Sequence, residues 1–207
     1  MPFQKPAADT LRFDLQLISS WIQPRSTVLG LGCGEGELLH HLKISKQARC
    51  TGIELDEYKV SLCVNKGLNV IQGDINEEME DYAEKSFDYV ILSQTLQQIF
   101  EPAAIIRSML RIGWKGIVSF PNFSHWDIRR QLLITGKAPV SAQLPFEWHN
   151  TPNIRVITIK DFREYAREVG FTILKEIAIN TKSDDKSGRR IRFLTNLRAT
   201  YGIFLIG

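Results

Sequence analysis

Val28-Leu29-Gly30-Leu31-Gly32-Cys33-Gly34-Glu35-Gly36-Glu37-Leu38-Leu39 runs from an apolar segment through alternating glycines into a helix-like segment. That is the order strand, glycine loop, helix. Glycine lacks a Cβ, so its backbone can take positive φ and lie against a ligand. The helix that follows points unpaired N–H groups and a positive dipole end the same way. The stretch reads as the floor of a nucleotide-like cofactor site, and the question becomes which cofactor.

Working outward, Thr10 to Trp21 carries apolar residues at helical spacings, with Asp9 or Thr10 as its cap and Pro24 as its stop. Arg49 to Leu55 reads as a second strand that closes on Glu54. Asn69 to Asp74 reads as a third, ending in a Gly-Asp turn. Phe87 to Ser93 is nearly all apolar, as a central parallel strand buried on both faces would be. Pro102 to Ile112 reads as a helix with proline in its first turn, and Gly116 to Phe120 as a fifth strand. Strands alternate with helices, which predicts a doubly wound, mostly parallel α/β sheet. Phe171 to Ile179 and Tyr201 to Ile206 have no helix between them, so they are expected to pair antiparallel. The count is seven strands in one domain over residues 1–207. Residues 122–153 break the rhythm as an aromatic insertion or lid beyond a strand's carboxyl end, where such sheets bind ligands.

Composition is that of an ordinary globular chain of 207 residues with a net charge of +3. Much of the positive excess sits late, in Lys182, Lys186, Arg189, Arg190, Arg192 and Arg198. Global basicity therefore does not argue for nucleic acid. Arg189, Arg190 and Arg192 read first as a solvated loop, with docking of an acidic partner as the alternative. No apolar run is long enough to span a bilayer, and Met1 to Pro6 lacks the apolar core of a signal peptide. Neither nucleic acid nor membrane is expected as a partner. Cys33, Cys50 and Cys63 have no metal spacing and read as reduced cytoplasmic thiols; no metal ligands are expected.

The glycine spacing discriminates between cofactors. The dinucleotide fingerprint Gly-x-Gly-x-x-Gly is not met, because the sixth positions counted from Gly30, Gly32 and Gly34 are Glu35, Glu37 and Leu39. No Gly-Lys-Ser/Thr ending marks a P-loop. Gly32-x-Gly34-x-Gly36 fits a ligand that needs close backbone approach without a pyrophosphate cradle.

Val28 to Gly36 resembles the first motif of class I S-adenosylmethionine (SAM)-dependent methyltransferases, which have a Rossmann-like seven-stranded sheet with the last strand antiparallel. The resemblance implies a cofactor site for SAM or S-adenosylhomocysteine made of Gly30, Gly32, Cys33, Gly34, Gly36, Glu54, Leu55, Gly73, Asp74, Ile75, Ser93 and Gln94. Glu54 would bind the ribose hydroxyls, a job that suits a carboxylate acceptor. Asp74 would accept from the adenine amine, and Ser93-Gln94 would face the methionine part. Longer strings, Asp14 to Ile18, Val70 to Asp74, Phe87 to Gln98, Ser119 to Phe123, Pro145 to Trp148 and Thr151 to Ile154, resemble the MetW family of methionine biosynthesis proteins. That resemblance implies partnership with homoserine O-acyltransferase. It names no catalytic residue and no methyl acceptor. An active methyltransferase on a small acceptor is the alternative function.

Gly30 departs from the family pattern, which has aspartate there. Losing a charge-assisted hydrogen bond costs about 1.5–3 kcal/mol, so SAM binding is expected to weaken by roughly one to two decades unless Glu35 or Asp14 compensates. On the same reasoning Gly30→Asp is expected to tighten binding. His125 and His149 flank the insertion. Each could be a base over an acceptor, but a polar role in a lid or partner surface is preferred. Trp126, Phe146 and Trp148 divide in the same way between an acceptor pocket and an interface.

Overall fold

The computed structural model describes residues 11–141, 144–182 and 185–207. The expected helix cap at Asp9 or Thr10 lies outside the described residues. The described chain runs α1 (Phe13–Trp21), β1 (Thr27–Leu31), α2 (Glu37–Lys46), β2 (Arg49–Glu54), α3 (Glu57–Asn65), β3 (Asn69–Gln72), α4 (Ile75–Glu78) and β4 (Phe87–Ser93). A single 3-10 turn follows, then α5 (Pro102–Ile112), β5 (Gly113–Pro121), α6 (Trp126–Thr135), α7 (Ile159–Val169), β6 (Ile173–Asn180), β7 (Arg189–Ile191), α8 (Thr195–Arg198) and β8 (Tyr201–Ile206).

The strands form one sheet in the order β3-β2-β1-β4-β5-β8-β6-β7. β3, β2, β1, β4 and β5 run parallel. β8 slots between β5 and β6 and runs antiparallel to both; the four-residue α8 that precedes it, which was not expected, is too short for a parallel crossover. The sheet has eight strands where seven were expected. The extra one is β7, a three-residue edge strand paired antiparallel to β6, in a region expected to be loop. Its sequence, Arg-Arg-Ile, offers no apolar alternation from which to read a strand.

The period of two along each strand sorts the core into two layers. Leu29, Leu31, Ile53, Val90, Leu92, Val118 and Phe204 face one way and pack with Ile105, Ile106 and Met109 of α5 and Phe162 of α7. Val28, Tyr89, Ile91, Ile117 and Ile203 face the other way, under α1 and α2. Gly30 belongs to this second face. A Cβ built there would sit 3.2 Å from both terminal methyls of Leu39 and 3.4 Å from the Cys33 Cβ. The side-chain space at position 30 is therefore filled by Leu39 of α2.

This filling changes what is expected of Gly30→Asp. A carboxylate would enter an apolar, occupied space, and overpacking of this kind costs about 1–3 kcal/mol. Stability in a denaturant melt should fall by that amount, and the loss caused by Gly30→Asp should be smaller when it is introduced into a Leu39→Ala background. An undiminished loss in the double variant would mean that Leu39 is not the obstacle.

Candidate functional site

The carboxyl ends of β1, β2, β3 and β4 open into a cleft of about 1180 Å³. This is where the strand order reverses, between β1 and β4, and where open α/β sheets bind ligands. The glycine loop forms its floor. Two neighbours pin that loop from outside the cleft. Cys33 N–H donates to the Ile53 carbonyl at the end of β2 (3.1 Å), and the Cys63 thiol of α3 donates to the Gly34 carbonyl (3.2 Å). Gly32 must be glycine for two reasons. Its φ is +60°, and a Cβ would meet the Thr95 hydroxyl at 3.0 Å.

Glu54 is buried at the end of β2, and its carboxylate is organised by backbone donors. Oε2 accepts from Gly34 N–H at 2.7 Å. Oε1 accepts from Leu55 N–H and Asp56 N–H, both at 3.1 Å. A carboxylate has about four acceptor positions, so one position on Oε2 is left for a ligand hydroxyl. A second hydroxyl can be taken only if a backbone donor yields. Asp74 caps α4, its Oδ1 accepting from the backbone and side-chain N–H groups of Asn76, each at 2.7 Å. Its Oδ2 takes no hydrogen bond from the described residues. Asp74 is thus fixed by one oxygen and available through the other.

Past β4, Gln94 is held with φ at 54°, a left-handed conformation uncommon for a residue with a side chain. Its N–H donates to the Ser119 carbonyl at 2.8 Å, and its side-chain amide donates to Asp14 Oδ2 at 2.7 Å. Asp14, only 2% exposed, also accepts from Arg12 Nε at 3.2 Å and Nη2 at 3.0 Å. Burial works against the charge on Arg12, but Asp14 outweighs it and raises the guanidinium pKa. Arg12 lines the cleft. Its Nη1 makes no hydrogen bond or ion pair with the described residues. The three side chains form a ridge in which Asp14 orients a cation and an amide toward one end of the cleft.

All the expected site residues line the cleft except Gly36. Gly36 lies behind the loop at the start of α2, with φ +76°, where a Cβ would collide with Leu68 and the Cys63 sulfur. The sequence reading missed Arg12, Leu15, Thr95 and the segment Gln98 to Glu101, which also line the cleft. Thr95 and Gln98 lie in a string that was legible; Arg12 carried no signal beyond its place beside Asp14. His125 and His149 are not in the cleft wall. His125 caps the start of α6, its Nδ1 accepting from Asp127 N–H at 3.4 Å, and burial lowers its pKa. His149 is exposed beside Glu147 at 3.5 Å. Trp126, Phe146 and Trp148 are likewise outside the cleft and exposed. The thiol pKa of Cys33 is pushed up by burial and by Cys63, which suits a loop residue and not a nucleophile. Among the described residues no helix is long and apolar enough to cross a membrane, and no cluster of metal-ligating side chains occurs.

The sequence model of the family described as methionine biosynthesis protein MetW matches residues 12–206. The bifunctional methionine biosynthesis protein MetXA/MetW of Rhodopirellula baltica is 33% identical, over 83% of this chain. The chain spans only 29% of the length of that curated relative. Among solved structures, a SAM dependent methyltransferase from Archaeoglobus fulgidus superposes with a TM-score of 0.68 at 14% identity, covering 93% of this chain and 90% of that one. One from Aquifex aeolicus gives 0.60 at 14% identity, with coverages of 94% and 89%. The [4+2]-cyclase SpnF gives 0.63 at 16% identity, with coverages of 93% and 79%. At these identities the likeness is one of fold.

Proposed function

The chain belongs to the MetW family of methionine biosynthesis proteins, and on that footing we propose that it binds SAM in the cleft and works as a partner of homoserine O-acyltransferase. The observation that carries the SAM reading is the convergence on one cleft of a buried carboxylate at the end of β2, a half-free carboxylate after β3, and the Arg12–Asp14–Gln94 ridge. Glu54 offers an acceptor to a ribose hydroxyl and Asp74 Oδ2 an acceptor to the adenine amine. Arg12 Nη1 offers donors to a carboxylate, an interaction made strong by charge on both sides. Asp14 is buried behind the cleft wall and acts on the ligand only through Arg12 and Gln94, which it holds. The fit is one of chemistry at each end of the cleft, and it matches a nucleoside that carries an amino acid.

The fold does not dictate methyl transfer, since a cyclase shares it. The partnership is supported by the curated relative, whose name joins MetXA and MetW in one bifunctional protein. SAM is made from methionine, so a cleft filled by it reports on downstream supply. Such sensing requires different affinities for SAM in the active and inactive complexes. The test is co-purification with homoserine O-acyltransferase and assay of its rate with and without SAM. A stable complex whose rate falls on adding SAM is expected. No complex and no change in rate would overturn the proposal, while a complex indifferent to SAM would remove the sensing alone.

A second reading is favoured by the extent of the cleft, which continues past Gln94 to Gln98, Ile99, Phe100 and Glu101 and exceeds the usual size of a small-ligand site. That space could hold a small methyl acceptor, with SAM supplying the activated methyl group. The protein's contribution would then be alignment, which can lower a barrier by about 7–11 kcal/mol. Transfer of labelled methyl from SAM into a cytosolic extract should mark an acceptor. Saturated binding with no labelled fraction would count against this reading.

A further inference from the structure

Of the arginines expected in a solvated loop, Arg189 and Arg190 lie on a strand, β7, with their side chains exposed, and Arg192 follows it in exposed loop. Arg189 lies in β7, opposite Asn180 of β6, on the outer edge of the sheet. Together with Asn180, Ile191, Arg198 of α8 and Trp126 of α6 it lines a recess of about 420 Å³, away from the cleft. The recess is built from elements locked to one another. Asn180 Nδ2 donates to the Arg198 carbonyl at 3.0 Å. Asn196 Nδ2 donates to the Ser124 hydroxyl at 3.0 Å, which joins α8 to the start of α6. Buried Asn122 donates to the Asn196 and Ala199 carbonyls at 3.0 and 2.8 Å. Trp126 is 49% exposed, and the chain leaves β7 through Phe193, which is 77% exposed.

Neither Arg189 nor Arg198 has an ion pair or side-chain hydrogen bond among the described residues, and the same holds for Arg190 and Arg192. Charged residues on an edge strand deter edge-to-edge pairing. That accounts for Arg190, and Arg192 lies in the exposed loop just after the strand; both stand outside the recess. That role does not account for Arg189 and Arg198, which come from separate elements, line one recess with the exposed Trp126 and have no side-chain partner among the described residues. Arginine and tryptophan are the residues that most often dominate binding energy at protein interfaces, and unpaired cations of one sign select a partner of the other.

We propose that this recess is the seat of the acyltransferase partner, which presents to it an acidic surface segment. The proposal rests on the partnership reading above and gives it a location. A nucleic acid is the poorer occupant, because its backbone calls for a long basic stripe and this recess has two arginines. The position also relates to the cleft. The segment just before β7 is tied to α1, with Phe13 N–H donating to the Asp185 carbonyl at 3.0 Å and Gln16 Nε2 to the Lys186 carbonyl at 2.9 Å. The seat thus shares α1 with the Arg12–Asp14 end of the cleft.

The test compares wild type with the Arg189→Glu/Arg198→Glu double variant and with Trp126→Ala. Affinity for purified homoserine O-acyltransferase is measured at low and at physiological salt, with S-adenosylhomocysteine calorimetry on each protein as the check of folding. The double variant should bind the acyltransferase at least thirtyfold more weakly at low salt, with a shallower salt dependence, and S-adenosylhomocysteine as wild type does. Trp126→Ala should lose at least tenfold without a change in salt dependence. If wild type forms the complex and both folded variants form it equally well, the seat is elsewhere and the partnership stands. Loss of duplex-DNA binding in the double variant, with acyltransferase binding intact, would assign the recess to nucleic acid and overturn the proposal. If wild type forms no complex at all, the partnership fails and the seat with it.

Discussion

Glu54→Gln is expected to weaken S-adenosylhomocysteine binding by about ten- to a hundredfold, the effect of losing one charge-assisted hydrogen bond of about 1.5–3 kcal/mol. The substitution keeps the size of the side chain and removes its charge. Whichever way the new amide turns, one nitrogen faces a backbone N–H: Gly34 on one side, or Leu55 and Asp56 on the other. A buried donor left without an acceptor costs about 1–3 kcal/mol, so stability should fall as well. The two effects are separable. Binding measured well below the melting temperature reports the ligand contact, and a denaturant melt without ligand reports the loop. If stability falls and affinity does not, Glu54 orders the glycine loop and touches no ligand.

Arg12→Met is the second large effect. It removes the only guanidinium that the described residues bring to the cleft wall and leaves Asp14 buried without its bidentate partner. Breaking a buried ion pair from one side costs about 3 kcal/mol in stability. For binding, the informative comparison is between S-adenosylhomocysteine and 5′-methylthioadenosine, which has the nucleoside and lacks the amino acid. Wild type should prefer the former by at least tenfold, as one charged contact to a carboxylate implies. Arg12→Met should lose that preference while binding 5′-methylthioadenosine as before. An unchanged preference would mean that Arg12 supports Asp14 and does not reach the ligand.

Much of this site was legible because its parts are local in sequence. The glycine loop, Glu54, Asp74 and Ser93-Gln94 each lie at or just past the carboxyl end of a strand, so finding the strand finds the residue. The Arg12–Asp14–Gln94 ridge was harder, because its amide donor is 80 residues from the carboxylate it holds. Gly30 was read as a missing carboxylate. The sheet's alternation turns that position toward Leu39, a packing relation between strand and helix that spacing does not express. α6 was not anticipated, since it lies in a stretch whose aromatics and prolines obscure helical spacing, and only Ile128 of it is buried. β7 escaped for the opposite reason, being short, charged and stabilised by its pairing with β6. The apolar strands β1, β4 and β5, buried on both faces, were the easiest to recognise.

The central claim is that the cleft takes a nucleoside bearing an amino acid and not a dinucleotide. Calorimetric titration of the wild-type protein with S-adenosylhomocysteine and, side by side, with NAD tests it most directly. One site for S-adenosylhomocysteine, with no heat of binding from NAD, is the predicted result. Binding of NAD, or no binding of S-adenosylhomocysteine at millimolar concentration, would contradict it.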